Sequence, residues 1–230
     1  MNAVNLADEG PLLDRDTVVR SLRGITKGGF MHVRISTITG ATDIDAGVRF
    51  LGEKVVPELQ QQSGFRGITA SADRAGRVVA VVSMWETEQD MTASERSAGK
   101  VRQEALGVIG GDVTVETFEQ VVADIGDPPP AVGCCLRVIR TKMDPARVDD
   151  NIEYFKSEMV PRIRATPGFR AVRNLIDRAS GHGVVGTVWD DEAAMNAAEA
   201  AAGLRRQDAA SRGVEFGEMS TRVLLFSHLA

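Results

Sequence analysis

Alternation of apolar and polar residues marks the first clear element of the chain. Met31-His32-Val33-Arg34-Ile35-Ser36-Thr37 has the two-residue period of a half-buried strand. Thr42 or Asp43 then stands as the cap of a helix in which Ile44, Val48, Leu51, Val55 and Leu59 recur at helical spacing. Pro57 lies inside that helix, where its missing backbone donor predicts a kink in the last turn, and Ser63-Gly64 ends it. Residues 68–72 predict a strand, Asp73-Arg74-Ala75-Gly76 a hairpin turn, and residues 77–85 a strongly apolar strand. Thr87 with Asp90 has the form of a capping box ahead of a helix running to about Gly107. Residues 113–121 alternate again and predict a fourth strand.

The same order is then replayed. Val56-Pro57, Gly64-Phe65-Arg66, Asp73-Arg74 and Trp85 return as Val160-Pro161, Gly168-Phe169-Arg170, Asp177-Arg178 and Trp189. The offset is a constant 104 positions, 56 to 160 and 85 to 189. Met91, Glu95 and Arg102-Gln103 return as Met195, Glu199 and Arg206-Gln207 at that same offset. An unbroken match of this length is a tandem duplication. In the second copy, residues 135–141 predict a strand, Asp144-Pro145 a cap and first turn, and Ile152, Phe155, Met159 and Ile163 an apolar helical stripe. Residues 174–178 and 184–189 predict the hairpin strands, residues 193–210 an alanine-rich helix, and residues 220–229 the closing strand.

Each copy is therefore β-α-β-β-α-β, a ferredoxin-like unit with two helices on one face of an antiparallel sheet. The fold class is α+β, and the bare face of one sheet is the natural cover for the other, giving an intramolecular α/β barrel. Residues 1–30 are expected as an amino-terminal extension, packed on the surface or disordered, in which Asp14 or Asp16 would cap a short helix through Val18, Val19 and Leu22; 31–126 is the first repeat, 127–132 a proline-rich linker and 133–230 the second repeat.

Composition narrows the partners. A net charge of −5 over 230 residues argues against a nucleic-acid surface, which needs clustered Lys and Arg. No apolar run is long enough to cross a bilayer, and residues 1–16 lack the pattern of a secretory signal, so a cytoplasmic protein without a membrane partner is expected. The two cysteines, Cys134 and Cys135, are neighbours and offer no disulfide framework; buried small hydrophobe is the plainer role for each.

The Pro-Gly-Phe turn at Pro167-Gly168-Phe169 and the strand 79–86, with its end in Trp85-Glu86, resemble the dimeric α/β-barrel superfamily. The likeness is to its antibiotic-biosynthesis-monooxygenase branch and covers residues 31–230 in two copies. That resemblance implies a cavity beneath the helices, and it spans cofactor-free oxygenases, haem-degrading enzymes and proteins with no known reaction. Haem-degrading members carry an iron-ligating histidine on the second helix. The matching positions here are Gln103 and Gln207, and glutamine is a poor haem ligand, so no haem cofactor and no metal is expected.

Candidate site residues follow, each beside its plainer role. His32 is a strand histidine that would serve as a catalytic base if it faced the cavity. Trp85 and Trp189 are core residues or cavity walls whose indole N–H meets a planar ligand. Arg102-Gln103 and Arg206-Gln207 are solvated helix faces or anchors for a carboxylate or phenolate. Arg34, Arg137 and Arg140 lie in first strands, and strand parity decides whether they point inward. The leading expectation is a barrel that binds a planar aromatic or polyketide-like compound and oxygenates it without a cofactor, the deprotonated substrate itself reacting with oxygen. The alternatives are a non-catalytic ligand-binding or stress-related protein, and haem binding through a non-family ligand. Because the halves cover each other, the chain is expected as a monomer with pseudo-dimeric halves or a weak homo-oligomer.

Overall fold

A computed structural model describes residues 31–230 of the chain; the extension and its expected helix lie outside the described residues. The first repeat contains β1 (Met31–Thr39), β2 (Phe65–Asp73), β3 (Val78–Trp85) and β4 (Asp112–Ile125). Between β1 and β2 run Ile44–Phe50, a π-turn Leu51–Val55 and Val56–Leu59, together α1. Helices α2 (Glu88–Ala93) and α3 (Glu95–Ile109) follow β3. The second repeat has β5 (Cys135–Lys142), the continuous run Val148–Tyr154, Phe155–Met159 and Val160–Arg164 as α4, then β6 (Phe169–Ile176) and β7 (His182–Trp189). Helices α5 (Glu192–Ala197) and α6 (Glu199–Ser211) and strand β8 (Glu215–Leu229) complete it.

Local chemistry explains most of these boundaries. Asp43 caps α1 by accepting from the Ala46 N–H, and Thr87 caps α2 by accepting from the Asp90 N–H. Both prolines are accommodated by a π-turn just upstream. The Val56 and Val160 N–H groups reach back five residues to the Leu51 and Phe155 carbonyls, so the helix continues through each proline. Each single helix expected after the tryptophans is instead two, broken at Ser94 and Ala198. At the first break the Met91 carbonyl accepts from the Ser94 hydroxyl and from Arg34, which draws it away from the helical ladder. The first hairpin strand of repeat two also differs from its expected span of 174–178. It starts at Phe169 and ends at Ile176, because the Asp177 carboxylate accepts from the Ala179 N–H and the Ser180 hydroxyl and turns the chain there.

The eight strands close in the order β1-β3-β2-β8-β5-β7-β6-β4. Within each repeat the order is that of a ferredoxin-like sheet; between repeats two ladders join the edges. β4 pairs first with β1 (Asp112 opposite Thr39) and then crosses to β6 (Glu119 opposite Ile176). β8 does the same, leaving β5 for β2, where Gly67 faces Leu229. Strands of 14 and 15 residues are long enough to serve two neighbours each. The Arg140–Glu116 fork (2.8 and 2.6 Å) and the pairs Arg164–Asp124 and Arg178–Glu119 (2.5 Å each) also cross between repeats. Being half-exposed, each contributes roughly 0–1 kcal/mol, so the ladders and the buried apolar surface dominate.

Three apolar layers result. Met31, Val33, Ile35, Met84, Phe118, Leu175 and Val184 meet inside the barrel. Outside it, Trp85 gathers Leu51, Val55, Phe65 and Met91 beneath α1 and α2, and Trp189 gathers Tyr154, Met159, Phe169 and Met195 beneath α4 and α5. Strand parity thus sends odd residues of β1 inward and turns Arg34, with His32 and Ser36, toward the helices.

The β2–β8 seam makes a direct test. A Cβ on Gly67 would stand 2.8 Å from the His228 carbonyl oxygen at a φ of +149°, whereas one on Gly107, in α3, would meet nothing within 4 Å. Gly67→Ala should lower the unfolding free energy by about 1–3 kcal/mol, and Gly107→Ala should raise it by about 0.5–1 kcal/mol, both read from urea denaturation midpoints.

Candidate functional site

The two tryptophans sit in matching surroundings. Trp85 is fully buried, packs edge-on against Phe65 and donates its indole N–H to the Ser83 hydroxyl at 3.0 Å. Trp189 packs the same way on Phe169 and donates to the Thr187 hydroxyl at 3.0 Å. Both indoles are therefore already satisfied and serve as walls. Pairing also fixes a register that the unbroken match did not reach: His32 faces Trp85 and Cys135 faces Trp189, so the first strands correspond at an offset of 103, 32 to 135. Arg34 and Arg137 are then equivalents.

A shared charged cluster hangs beneath each helix pair. Glu95 receives Arg34 (3.0 Å) and Arg102; Glu199 receives Arg137 and Arg206. In the first repeat the cluster is packed more tightly, with Arg34 Nε, like Arg137 Nε, left without a hydrogen-bond partner among the described residues. Arg34 is 4% exposed, donates to the Ser94 hydroxyl at 3.0 Å and to the Met91 carbonyl, and lies 5.7 Å from the centre of the Trp85 ring. Burial lowers its pKa, a fall that Glu95 opposes and Arg102 reinforces. In the second repeat Ala198 replaces Ser94, so Arg137 has no hydroxyl there and reaches Asn196 at 3.2 Å instead.

The consequence is a cavity of about 110 Å³ under α4 and α6, lined by Arg137, Tyr154, Trp189, Glu199, Arg205 and Arg206 among others. The first repeat holds a void of about 40 Å³ with wholly apolar lining that includes Ile38, Gly47, Phe50 and Ala70. The second-repeat equivalents of those four are Thr141, Asn151, Tyr154 and Asn174, and all four line the larger cavity. Arg205 likewise stands where the first repeat has buried Val101. Arg137 Nε, Thr141 Oγ1, Asn174 Oδ1 and Arg206 Nη1 are buried there without a hydrogen-bond partner. A pocket wall with idle donors and acceptors is costly unless a ligand or water uses them. Three guanidinium groups against one carboxylate make the lining net positive, and burial, with Arg206 adjacent, lowers the Arg205 pKa.

Tyr154 closes one side. Its hydroxyl donates to the Asp208 carboxylate, which also accepts from Arg162, and the Arg212 guanidinium lies 3.9 Å from the centre of its ring. Burial chiefly, and then Asp208, push the Tyr154 pKa up, while the hydrogen bond from Tyr154 is the main cause holding Asp208 down.

The remaining candidates separate. His32 borders a different depression, between the two repeats, with Glu88, Glu119 and Asp177, and is not among the residues lining the second-repeat cavity. Gln103 and Gln207 are exposed, one position past the arginines that turn inward, and neither lines the cavity. Arg102 and Arg206 do face inward, and Arg140 is held in the cross-repeat fork. Among the described residues no group of three or more His, Cys, Asp or Glu side chains is placed to hold a metal, and no helix is long and apolar enough to cross a membrane. A haem does not fit this cavity, which is much smaller than a porphyrin, and Gln207 turns to solvent.

Protein Rv2557 of Mycobacterium tuberculosis H37Rv, itself uncharacterised, is 34% identical to this chain over 175 residues, 75% of this chain and 77% of its own length. The chain belongs to its family. Protein Rv2558 of the same strain, also uncharacterised, is 26% identical over 207 residues, covering 88% of this chain and 87% of its own. No family model matches. Among solved structures, a presumed monooxygenase from Lactobacillus acidophilus superposes with a TM-score of 0.65 at 12% identity, over 87% of this chain and 96% of that one. An anthrone oxidase-like protein superposes at 0.58 and 16%, over 89% and 94%. The fold of this chain is thus the ferredoxin-like α/β barrel that these solved structures also have, and likenesses this distant extend to fold alone.

The chain has a single tyrosine, so its titration can be read by absorbance near 295 nm. The midpoint should lie above the ordinary value of about 10, and Asp208→Asn should bring it part of the way back, leaving the contribution of burial. Because the folded state prefers the protonated phenol, this contribution to stability is complete below the ordinary tyrosine pKa and is lost as pH rises through the raised one.

Proposed function

We propose that this family member binds a planar aromatic anion, a phenolate or carboxylate, in the cavity beneath α4 and α6. The observation that carries the reading is the set of idle buried polar atoms from Arg137, Thr141, Asn174 and Arg206 around an otherwise apolar space. Arg137 and Arg206 supply planar forks for an oxyanion, Trp189 and Met159 supply apolar walls, and Asn174 and Thr141 fix orientation. A cavity of about 110 Å³ is somewhat smaller than the ~150 Å³ apolar cavity known to admit benzene. One ring therefore requires the walls to give, and a polyketide-like compound would protrude between the helices.

Cofactor-free oxygenation is the second reading, favoured by the same guanidiniums. They would stabilise the enolate or phenolate that must form before oxygen adds, and the cavity would exclude water from it. The carboxylate among the lining residues, Glu199, is held by two arginines, and His32 belongs to the other repeat. Proton removal from the substrate therefore falls to the substrate's own acidity. That weighs toward capture of a ligand as the primary role. The chain completes its own barrel, so a monomer suffices for either reading.

A panel of naphthols, hydroxynaphthoates and hydroxyquinones, followed by tryptophan fluorescence, tests the pocket. Saturable quenching should appear in the wild type and weaken by about tenfold or more in Arg206→Ala, with Arg102→Ala as the first-repeat control that leaves it unchanged. Equal binding by wild type and Arg206→Ala would reject the pocket. Oxygen uptake with the bound compound separates oxygenase from binder, and a haemin titration without a saturable Soret shift would remove haem.

A further inference from the structure

The barrel interior holds a second, larger cavity. Its volume is about 460 Å³, within the roughly 300–1,000 Å³ usual for ligand sites, and its walls are mostly apolar, among them Val82, Met84, Val138 and Leu175. Two arginines, Arg173 and Arg222, line it, and among the described residues no Asp or Glu side chain does. Arg173 is enclosed by protein, and its partners among the described residues are neutral: Gln120 Oε1 at 2.6 Å and Met84 Sδ at 2.8 Å. Arg222 Nε is buried without a partner. Desolvation pulls the Arg173 pKa down to about 10, so the group stays charged at neutral pH with no counter-charge beside it among the described residues.

A glycine beside that arginine adds a second, independent sign. Gly186 is in mid-strand, directly across β6–β7 from Arg173 and across β5–β7 from Val138. Strand glycines usually permit a close backbone approach or a bulge, yet a Cβ here would meet nothing within 4 Å. What the missing side chain leaves is open volume next to the guanidinium. The first repeat has Thr69 opposite Val82 at the corresponding place, so both the charge and the space belong to the second copy alone.

We propose that the barrel interior is a binding site for an apolar carboxylate of the fatty-acid type, its head group on Arg173 and its chain along the lumen. This site is distinct from the pocket beneath α4 and α6. The lumen is reached beside Gln60 and His228, whose side chains meet at 3.2 Å, and Pro129-Pro130.

Decanoate is the probe, titrated calorimetrically into the full chain, with decanol as the neutral counterpart. Wild type should bind one decanoate and gain thermal stability. Binding should weaken by about tenfold or more in Arg173→Met, and also in Gly186→Phe, which fills the lumen while keeping the arginine. Decanol should bind more weakly than decanoate to wild type. Absence of saturable decanoate binding, equal binding of decanol, or unchanged affinity in Gly186→Phe would overturn the inference. Loss of binding in Arg206→Ala but not in Gly186→Phe would place the ligand in the other pocket and overturn it too.

Discussion

Everything in this barrel depends on the edges of its sheets being satisfied from the other repeat. A four-stranded ferredoxin-like sheet ends in two rows of unpaired backbone groups, which invite association with other chains, and closure removes such edges. Here β4 and β8 each run past their own repeat and finish on the partner's second strand. That one arrangement creates both spaces in which chemistry can occur: the lumen, enclosed by the inward-facing residues of all eight strands, and the layer between each sheet and its helices.

Duplication then allows the two copies to diverge in those spaces. The first copy keeps its helix–sheet layer filled. Arg34 is clamped by Ser94, Met91, Glu95 and the face of Trp85, and Ile38, Gly47 and Ala70 leave only a small apolar void. The second keeps the frame of Trp189, Glu199, Arg137 and Arg206 but exchanges apolar positions for Thr141, Asn151 and Asn174 and deletes the serine hydroxyl at Ala198. Stability rests on what the copies share, and the proposed pocket adds further polar groups where they differ. Arg173 and Gly186 in the lumen follow the same rule.

This division explains what the chain disclosed before its structure was in hand. Periodicity and repetition exposed the elements, their order and the closed barrel, because the offset of 104 and the strand and helix periods are properties of the chain itself. The helix breaks at Ser94 and Ala198 were hidden, since the first depends on Arg34 reaching across from β1 to the Met91 carbonyl. The pocket was only partly legible. Residues kept by both copies pointed to Trp189 and Arg206, but equally to Gln207, which lies one step further around the helix and faces water. Matching by identity does not register Tyr154, Asn151, Asn174 and Thr141, whose signal is a polar residue in one copy opposite an apolar one in the other. That comparison also needed the true register of the first strands, offset by 103 rather than 104, which the pairing with Trp85 and Trp189 supplies.

Mutual closure can be observed directly, since each repeat contains one tryptophan in an equivalent buried place. Trp85→Phe leaves an indole that reports on the second repeat, and Trp189→Phe one that reports on the first. Equilibrium urea unfolding should show, in each variant, a fluorescence transition that coincides with the loss of helical circular dichroism of the whole chain, because neither sheet keeps its edges without the other. A fluorescence transition displaced from the far-ultraviolet transition in either variant, with one repeat melting while the other stays folded, would contradict the account.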